Sequence, residues 1–241
     1  MDAVNFSCYM QAWSNPNAVD HLLKTFRCFY PDHYMRIVGN DNYNFSELCD
    51  RYNIDYEHSD KEASPGKYEK FGPRGRDLYI ERIYDTCQRA GSKWIILLEE
   101  DCRFLRKIER FPEVPTAGPR MNSYSRELQQ YFHQKGLKSY MGYGLSGGSI
   151  FNREIFIRCY EKGVDWDHLA SLEPRINVDS DVALNVLFQY HGYEYQVWDE
   201  VSELFHKKPA QRIYREAAID HAYKHFYDLK GEKDREKRYK K

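Results

Sequence analysis

The sequence predicts an α/β fold, a mixed and mainly parallel sheet flanked by helices. Three observations lead there. Apolar strand patterns alternate with helical ones through the first hundred residues. The run Trp94-Ile95-Ile96-Leu97-Leu98 is continuously apolar, as a strand covered on both faces must be. Strand, helix, strand, helix, strand in this order implies parallel pairing through right-handed crossovers.

Each element follows from its local pattern. Val4 to Met10 reads as the first strand, followed by a loop with Ser14, Asn15 and Pro16. From Asn17 to Phe29, the residues Val19, Leu22, Leu23, Phe26 and Phe29 fall on one helical face, and Pro31 ends that helix. Met35 to Val38 is a second strand, closed by the turn cluster Gly39-Asn40-Asp41-Asn42. Phe45 to Tyr52 reads as helix and Ile54 to Tyr56 as a short strand. His58 to Gly75 is polar and broken by Pro65, Gly66, Gly72, Pro73 and Gly75, which predicts a mobile loop. Asp77 to Ala90 returns to helical spacing, with Ile80, Ile83, Tyr84 and Cys87 on one face. Val182, Val186, Leu187 and Tyr190 mark a late helix that Gly192 ends, and Tyr195 to Trp198 reads as a strand.

Composition narrows the class. At 241 residues and 41% hydrophobic content, the chain can bury a sizeable core in one domain. Its 36 basic and 37 acidic side chains leave a net charge of -1, which argues against a nucleic-acid binder. The six cysteines are scattered without a CxxC pair, so a structural zinc site is not expected. Cys8, Cys28 and Cys87 lie in apolar patterns, the usual setting of reduced thiols, and a cytoplasmic location is expected. No secretory signal pattern opens the sequence, and no apolar run approaches spanning length. Any contact with a membrane would be peripheral. The abundant Tyr, Phe and Trp suit sugar handling and an aromatic core equally.

The sharpest feature is Leu97-Leu98-Glu99-Glu100-Asp101-Cys102. Ligands of open parallel sheets bind beyond the carboxyl ends of the strands, so Asp41, Glu99 and the loop after Met10 fall on the binding edge. If the chain stays extended, Glu99 and Asp101 point the same way and Glu100 the other. Two same-facing carboxylates make a hard-oxygen site for Mg2+ or Mn2+ shared with a diphosphate. A polar loop that merely ends the strand is the alternative.

A buried strand ending in acid-x-acid resembles the DxD element of GT-A glycosyltransferases, with Glu99 where the family has Asp. Three further elements arrive in the family's order. Gly147-Gly148-Ser149-Ile150-Phe151-Asn152-Arg153 is similar to the glycine loop beside the donor sugar and acceptor, or is a turn before a strand and helix. Val178-Asp179-Ser180-Asp181 resembles the acid at the start of a late helix, or is an N-cap with Asp181 favoured by the helix dipole. His206, in Glu203-Leu204-Phe205-His206, looks like the family's C-terminal histidine.

The resemblance covers residues 4 to 206. It implies a single GT-A, Rossmann-like domain over residues 1–229, with a nucleotide-binding half at 1–101 and an acceptor-binding half at 102–229. The nearly all-charged tail at 230–241 is expected to be disordered. It implies a nucleotide-sugar donor, UDP-linked, and a carbohydrate or other hydroxyl acceptor. The expected cofactor is Mn2+ or Mg2+, held by Asp101, Glu99 and His206. Nucleotide contacts fall to Asp41, Arg76, Arg82 and Glu99, and sugar contacts to Gly147 and Gly148. Lys67, Lys70 and Arg74 lie in the same cationic stretch; these three, Arg76 and Arg82 each also read as solvated surface charge, and Asp41 equally as an Asx-turn residue. In an inverting reaction Asp181 is the base and Asp179 orients the acceptor or exchanges roles with it; a retaining reaction stays open. A nucleotidyltransferase would carry a glycine-rich loop with Arg and Lys after the first strand, where this chain reads Met10-Gln11-Ala12-Trp13-Ser14-Asn15. A non-catalytic sugar- or nucleotide-binding module on the same fold would have no need of Asp101 and Asp181.

Overall fold

The structure, a computed structural model, describes residues 6–39, 43–60, 72–119, 124–137, 147–177, 180–203 and 217–221. In chain order come β1 (Phe6–Gln11), α1 (Pro16–Phe29), β2 (Met35–Gly39), α2 (Ser46–Arg51) and β3 (Asp55–His58). Next are α3 (Gly72–Arg89), β4 (Trp94–Leu98), β5 (Arg103–Phe104), β6 (Thr116–Gly118) and α4 (Arg126–Gln134). Then follow β7 (Ile150–Asn152), α5 (Arg153–Lys162), α6 (Trp166–Leu172) and a 3-10 turn (Pro174–Asn177). The last elements are α7 (Ser180–Tyr190), β8 (Tyr195–Val197), β9 (Val201–Glu203) and β10 (Ile219–His221).

The expected α/β class is what the structure has. Seven strands form one sheet in the order β3-β2-β1-β4-β7-β6-β8. β3, β2, β1 and β4 are mutually parallel, β7 runs against both β4 and β6, and β8 is parallel to β6. The apolar run at 94–98 occupies the middle because it has neighbours on both edges and helices on both faces. Period-two alternation splits its side chains. Ile95 and Leu97 join a core with α3, α5 and α7, while Trp94, Ile96 and Leu98 join one with α1 and α2. Tyr9 and Val38 take the first face, and Phe6, Cys8, Met10, Met35 and Ile37 the second.

Local signals set the ends of the helices. The Asn15 side chain accepts from the Ala18 N–H at 3.1 Å and Pro16 starts α1, which fixes where the β1 loop stops. Asn152 caps α5 in the same way through the Ile155 N–H. Two boundaries differ clearly from the sequence reading: β3 runs on to His58, where the pattern predicted the start of the loop, and the next helix starts early. α3 begins at Gly72, so Gly72, Pro73 and Gly75 lie in its first turn, whereas the pattern predicted loop to Gly75. Proline is tolerated there because the first helical N–H groups have no intrahelical acceptor.

α1 covers one face on the way from β1 to β2, and α3 covers the other on the way from β3 to β4. The loops leaving β1 and β4 meet at the carboxyl edge of the sheet, the edge at which open α/β sheets bind ligands. A second sheet, β5-β10-β9, lies on the α1 side, with Phe104, Val201 and Ile219 in that core. No helix among the described residues is long and apolar enough to cross a membrane.

Ile96 is fully buried in the central strand. Ile96→Ala is expected to cost about 2–5 kcal/mol through lost burial and an unfilled cavity. Urea unfolding should show a lower midpoint with an unchanged slope.

Candidate active site

The acidic segment leaves β4 as a turn. The Cys102 N–H donates to the Glu99 carbonyl at 2.9 Å, so Glu99, Glu100 and Asp101 do not continue the strand. The division of side chains expected from strand alternation is nonetheless present, now produced by the turn. Glu99 and Asp101 share one side, and Glu100 takes the other. Asp101 and Cys102 are buried, while Glu99 is partly open.

The shared side ends on His221. Its Nε2 lies 3.3 Å from Glu99 Oε2 and 3.4 Å from Asp101 Oδ1. Burial by itself would push the imidazole toward neutrality, but the carboxylates of Glu99 and Asp101 outweigh it and hold its pKa well above the usual value. The same strand holds Asp220, which accepts from Arg103 Nε at 3.1 Å and Nη2 at 3.0 Å. The N–H groups of Ala218 and Ile219 both donate to the Glu200 carbonyl at 2.9 Å. β10 is therefore pinned between β5 and β9, and the imidazole is delivered to the acids by backbone geometry.

The glycine loop closes the third side. Gly148 N–H donates to the Leu97 carbonyl at 2.7 Å, and Leu97 N–H to the Ser149 carbonyl at 2.8 Å. This extends the β7 ladder to the last residues of β4. Gly147 N–H then donates to Glu99 Oε1 at 3.0 Å. A Cβ on Gly147 would come within 2.9 Å of both Cys102 Sγ and His221 Nε2. Gly148 has φ +87°, and a Cβ there would meet Val201 at 2.3 Å. Two readings of this segment hold together, since it is both a turn before a strand and helix and a backbone wall of the acidic site.

Glu100 does separate work. Its Oε1 accepts from the N–H groups of Trp13, Ser14 (2.9 Å) and Asn15 (3.5 Å), in the loop that leaves β1. Burial raises its pKa, offset in part by those three donors. The carboxylate ties the β1 loop directly to the end of β4.

The remaining expected residues fall in different places. Arg76 packs over Trp166 and bonds to Asp77 and to Asn177 Oδ1, both at 2.7 Å, close to where the chain enters α7. Arg82 donates to Ser59 Oγ at 2.7 Å, just past β3. The acidic cluster thus gathers Glu99, Asp101 and Gly147, while Arg76 and Arg82 are engaged on α3. Asp181 is half-buried in the first turn of α7. Asp41, Asp179 and His206 lie outside the described residues. The imidazole beside the acids is that of His221, which the sequence reading missed. Its signal was the apolar triplet Ala217-Ala218-Ile219, followed by Asp220-His221, inside a strongly charged stretch. The reading also gave Cys102 no part.

No protein-family model matches the chain, and no curated protein matches it. Among solved structures, a galactosyltransferase, LgtC, in complex with donor and acceptor sugar analogs, is 15% identical. That match covers 89% of this chain and 86% of the other, with a TM-score of 0.48.

The Glu100 contacts generate a direct expectation. Glu100→Ala should raise the hydrogen-exchange rate of the Trp13 and Ser14 amides by about tenfold or more, since a hydrogen bond to a charged group is worth about 1.5–3 kcal/mol. Exchange in β4 should be unchanged. Equal protection of the loop in variant and parent would mean that the loop is held by other contacts.

Proposed function

We propose that the protein is a metal-dependent glycosyltransferase of the GT-A type. It takes a sugar from a nucleotide-sugar donor, UDP-linked, and passes it with inversion to the hydroxyl of a glycan or other acceptor. The observation that carries this reading is the convergence of Glu99, Asp101 and His221 at the carboxyl end of a central parallel strand, beside the Gly147 backbone. The carboxyl edge of the parallel strands is where open α/β sheets place their ligands.

The donor set suits a divalent ion. Neighbouring ligand atoms about 2.1 Å from a shared octahedral ion stand roughly 3.0 Å apart, a little closer than the donors here. His221 Nε2 stands 3.3 Å and 3.4 Å from the two carboxylate oxygens. Oxygen, oxygen and imidazole nitrogen accept Mn2+ readily and Mg2+ with more retained water. When bound, such an ion neutralises charge on a diphosphate leaving group. In this reading Asp101, Glu99 and His221 hold it, with His221 in the part that the resemblance gave to His206.

The chain's own groups do the rest. Gly147 and Gly148 let the backbone approach the donor sugar without a side chain between. Asp41, Arg82 and Arg76 take the nucleotide contacts in this reading. Asp181, at the start of α7, takes the proton of the acceptor hydroxyl as its oxygen attacks the anomeric carbon and the nucleoside diphosphate departs. Asp179 orients the acceptor.

Calorimetry with UDP tests the reading. Binding should require Mn2+ or Mg2+ and collapse in chelator; equal affinity with and without metal would sink the metal role. Asp101→Asn should abolish metal-dependent binding. His221→Ala should weaken it more than His206→Ala does, and the reverse order would return the ligand role to His206. Asp181→Asn should bind UDP and metal normally, melt as the parent does, and transfer sugar about 100-fold or more slowly. Full transfer by that variant would remove Asp181 as the base.

A further inference from the structure

The acidic site carries a donor that a manganese site does not need. One oxygen of Asp101, the sulfur of Cys102 and a ring nitrogen of His221 all lie within 4.8 Å of one another, and all three residues are buried. The Glu99 N–H points at Cys102 Sγ from 3.4 Å. Backbone donors of this kind support a metal-bound thiolate, because they stabilise charge on sulfur without competing for the metal. Gly147 leaves both the sulfur and the imidazole uncapped, since even a Cβ there would sit 2.9 Å from each.

We infer that the site has a second metal mode, in which Cys102 joins Asp101 and His221 to hold Zn2+. The inference rests on the metal reading of the acidic cluster and goes beyond it by assigning a ligand and an ion. The two modes share Asp101 and His221 and differ in the third donor. A hard ion takes the carboxylate of Glu99, and a thiophilic ion takes the sulfur. Cys102 sits next to Asp101 on the tight turn, so the same turn offers oxygen and sulfur to one position. Binding Zn2+ this way displaces the thiol proton to solvent. Oxygen, sulfur and nitrogen donors together favour Zn2+ over Mn2+, both through the softness of sulfur and through the general order of divalent affinities. Zn2+ therefore competes with the ion that serves transfer, and free zinc restrains the enzyme.

X-ray absorption at the zinc edge tests this on the intact chain loaded with one equivalent of Zn2+. The expected result is one sulfur neighbour at about 2.3 Å with nitrogen and oxygen at about 2.0–2.2 Å. Cys102→Ser should lose the sulfur neighbour. In competition followed by the electron paramagnetic signal of released Mn2+, it should also lower the preference for Zn2+ over Mn2+ by about tenfold or more, the scale on which altered supporting groups change metal affinity. Cys102→Ala repeats the comparison should the serine variant fold poorly, and the parent spectrum needs no variant at all. Zinc bound only by nitrogen and oxygen, or a sulfur neighbour that persists in both variants, would overturn the inference and leave the Glu99–Asp101–His221 site standing. Failure of the parent to bind either ion would overturn the metal reading of the cluster, and this inference with it.

Discussion

The carboxylates of Glu99 and Asp101 both face His221 at the end of a buried strand, and Asp101 is only 1% exposed, where water screens little of their mutual repulsion. The rest of the site depends on how this is offset. His221 supplies the answer by standing between them as a positive or hydrogen-bonding partner. A buried charge left without its partner costs about 3–5 kcal/mol, a large share of the stability of an ordinary domain. The small β5-β10-β9 sheet can be understood as the frame that keeps this imidazole in place. It is fixed by the Arg103–Asp220 pair and by the Glu200 carbonyl, whose own side chain receives Arg106 at 2.8 Å.

The acidic triplet divides its labour by turn geometry. Glu99 and Asp101 serve the cluster, and Glu100 reaches back to the β1 loop. The β1 loop is thereby tied to the end of β4. The glycine loop is tied to the same point through Leu97. The groups of the cluster are held in place by these backbone contacts.

The cluster also mixes hard and soft donors, with two carboxylates and an imidazole beside the buried Cys102 thiol, whose pKa burial pushes up.

Much of the fold was legible because it rests on period. The alternation of Phe6, Cys8 and Met10 with Tyr9, and the continuous run 94–98, determine strands and their two faces before any partner is known. The spacing of Val19, Leu22, Leu23 and Phe26 likewise determined α1 and its buried side. Glu99 and Asp101 were legible as a pair because short-range geometry places residues i and i+2 together in a strand, and the observed turn happened to keep them so. What period does not encode is which distant segment completes a site. His221 is separated from Asp101 by more than a hundred residues, and the short apolar triplet before it marks a strand without saying which strands it joins. Only the pairing of β10 with β9 and β5 brings it to the acids, because strand pairing is decided by backbone hydrogen bonds and burial across the whole chain. The partners of Glu100 and the close approach of Gly147 to Cys102 were decided the same way, by tertiary contact between segments that share no local pattern.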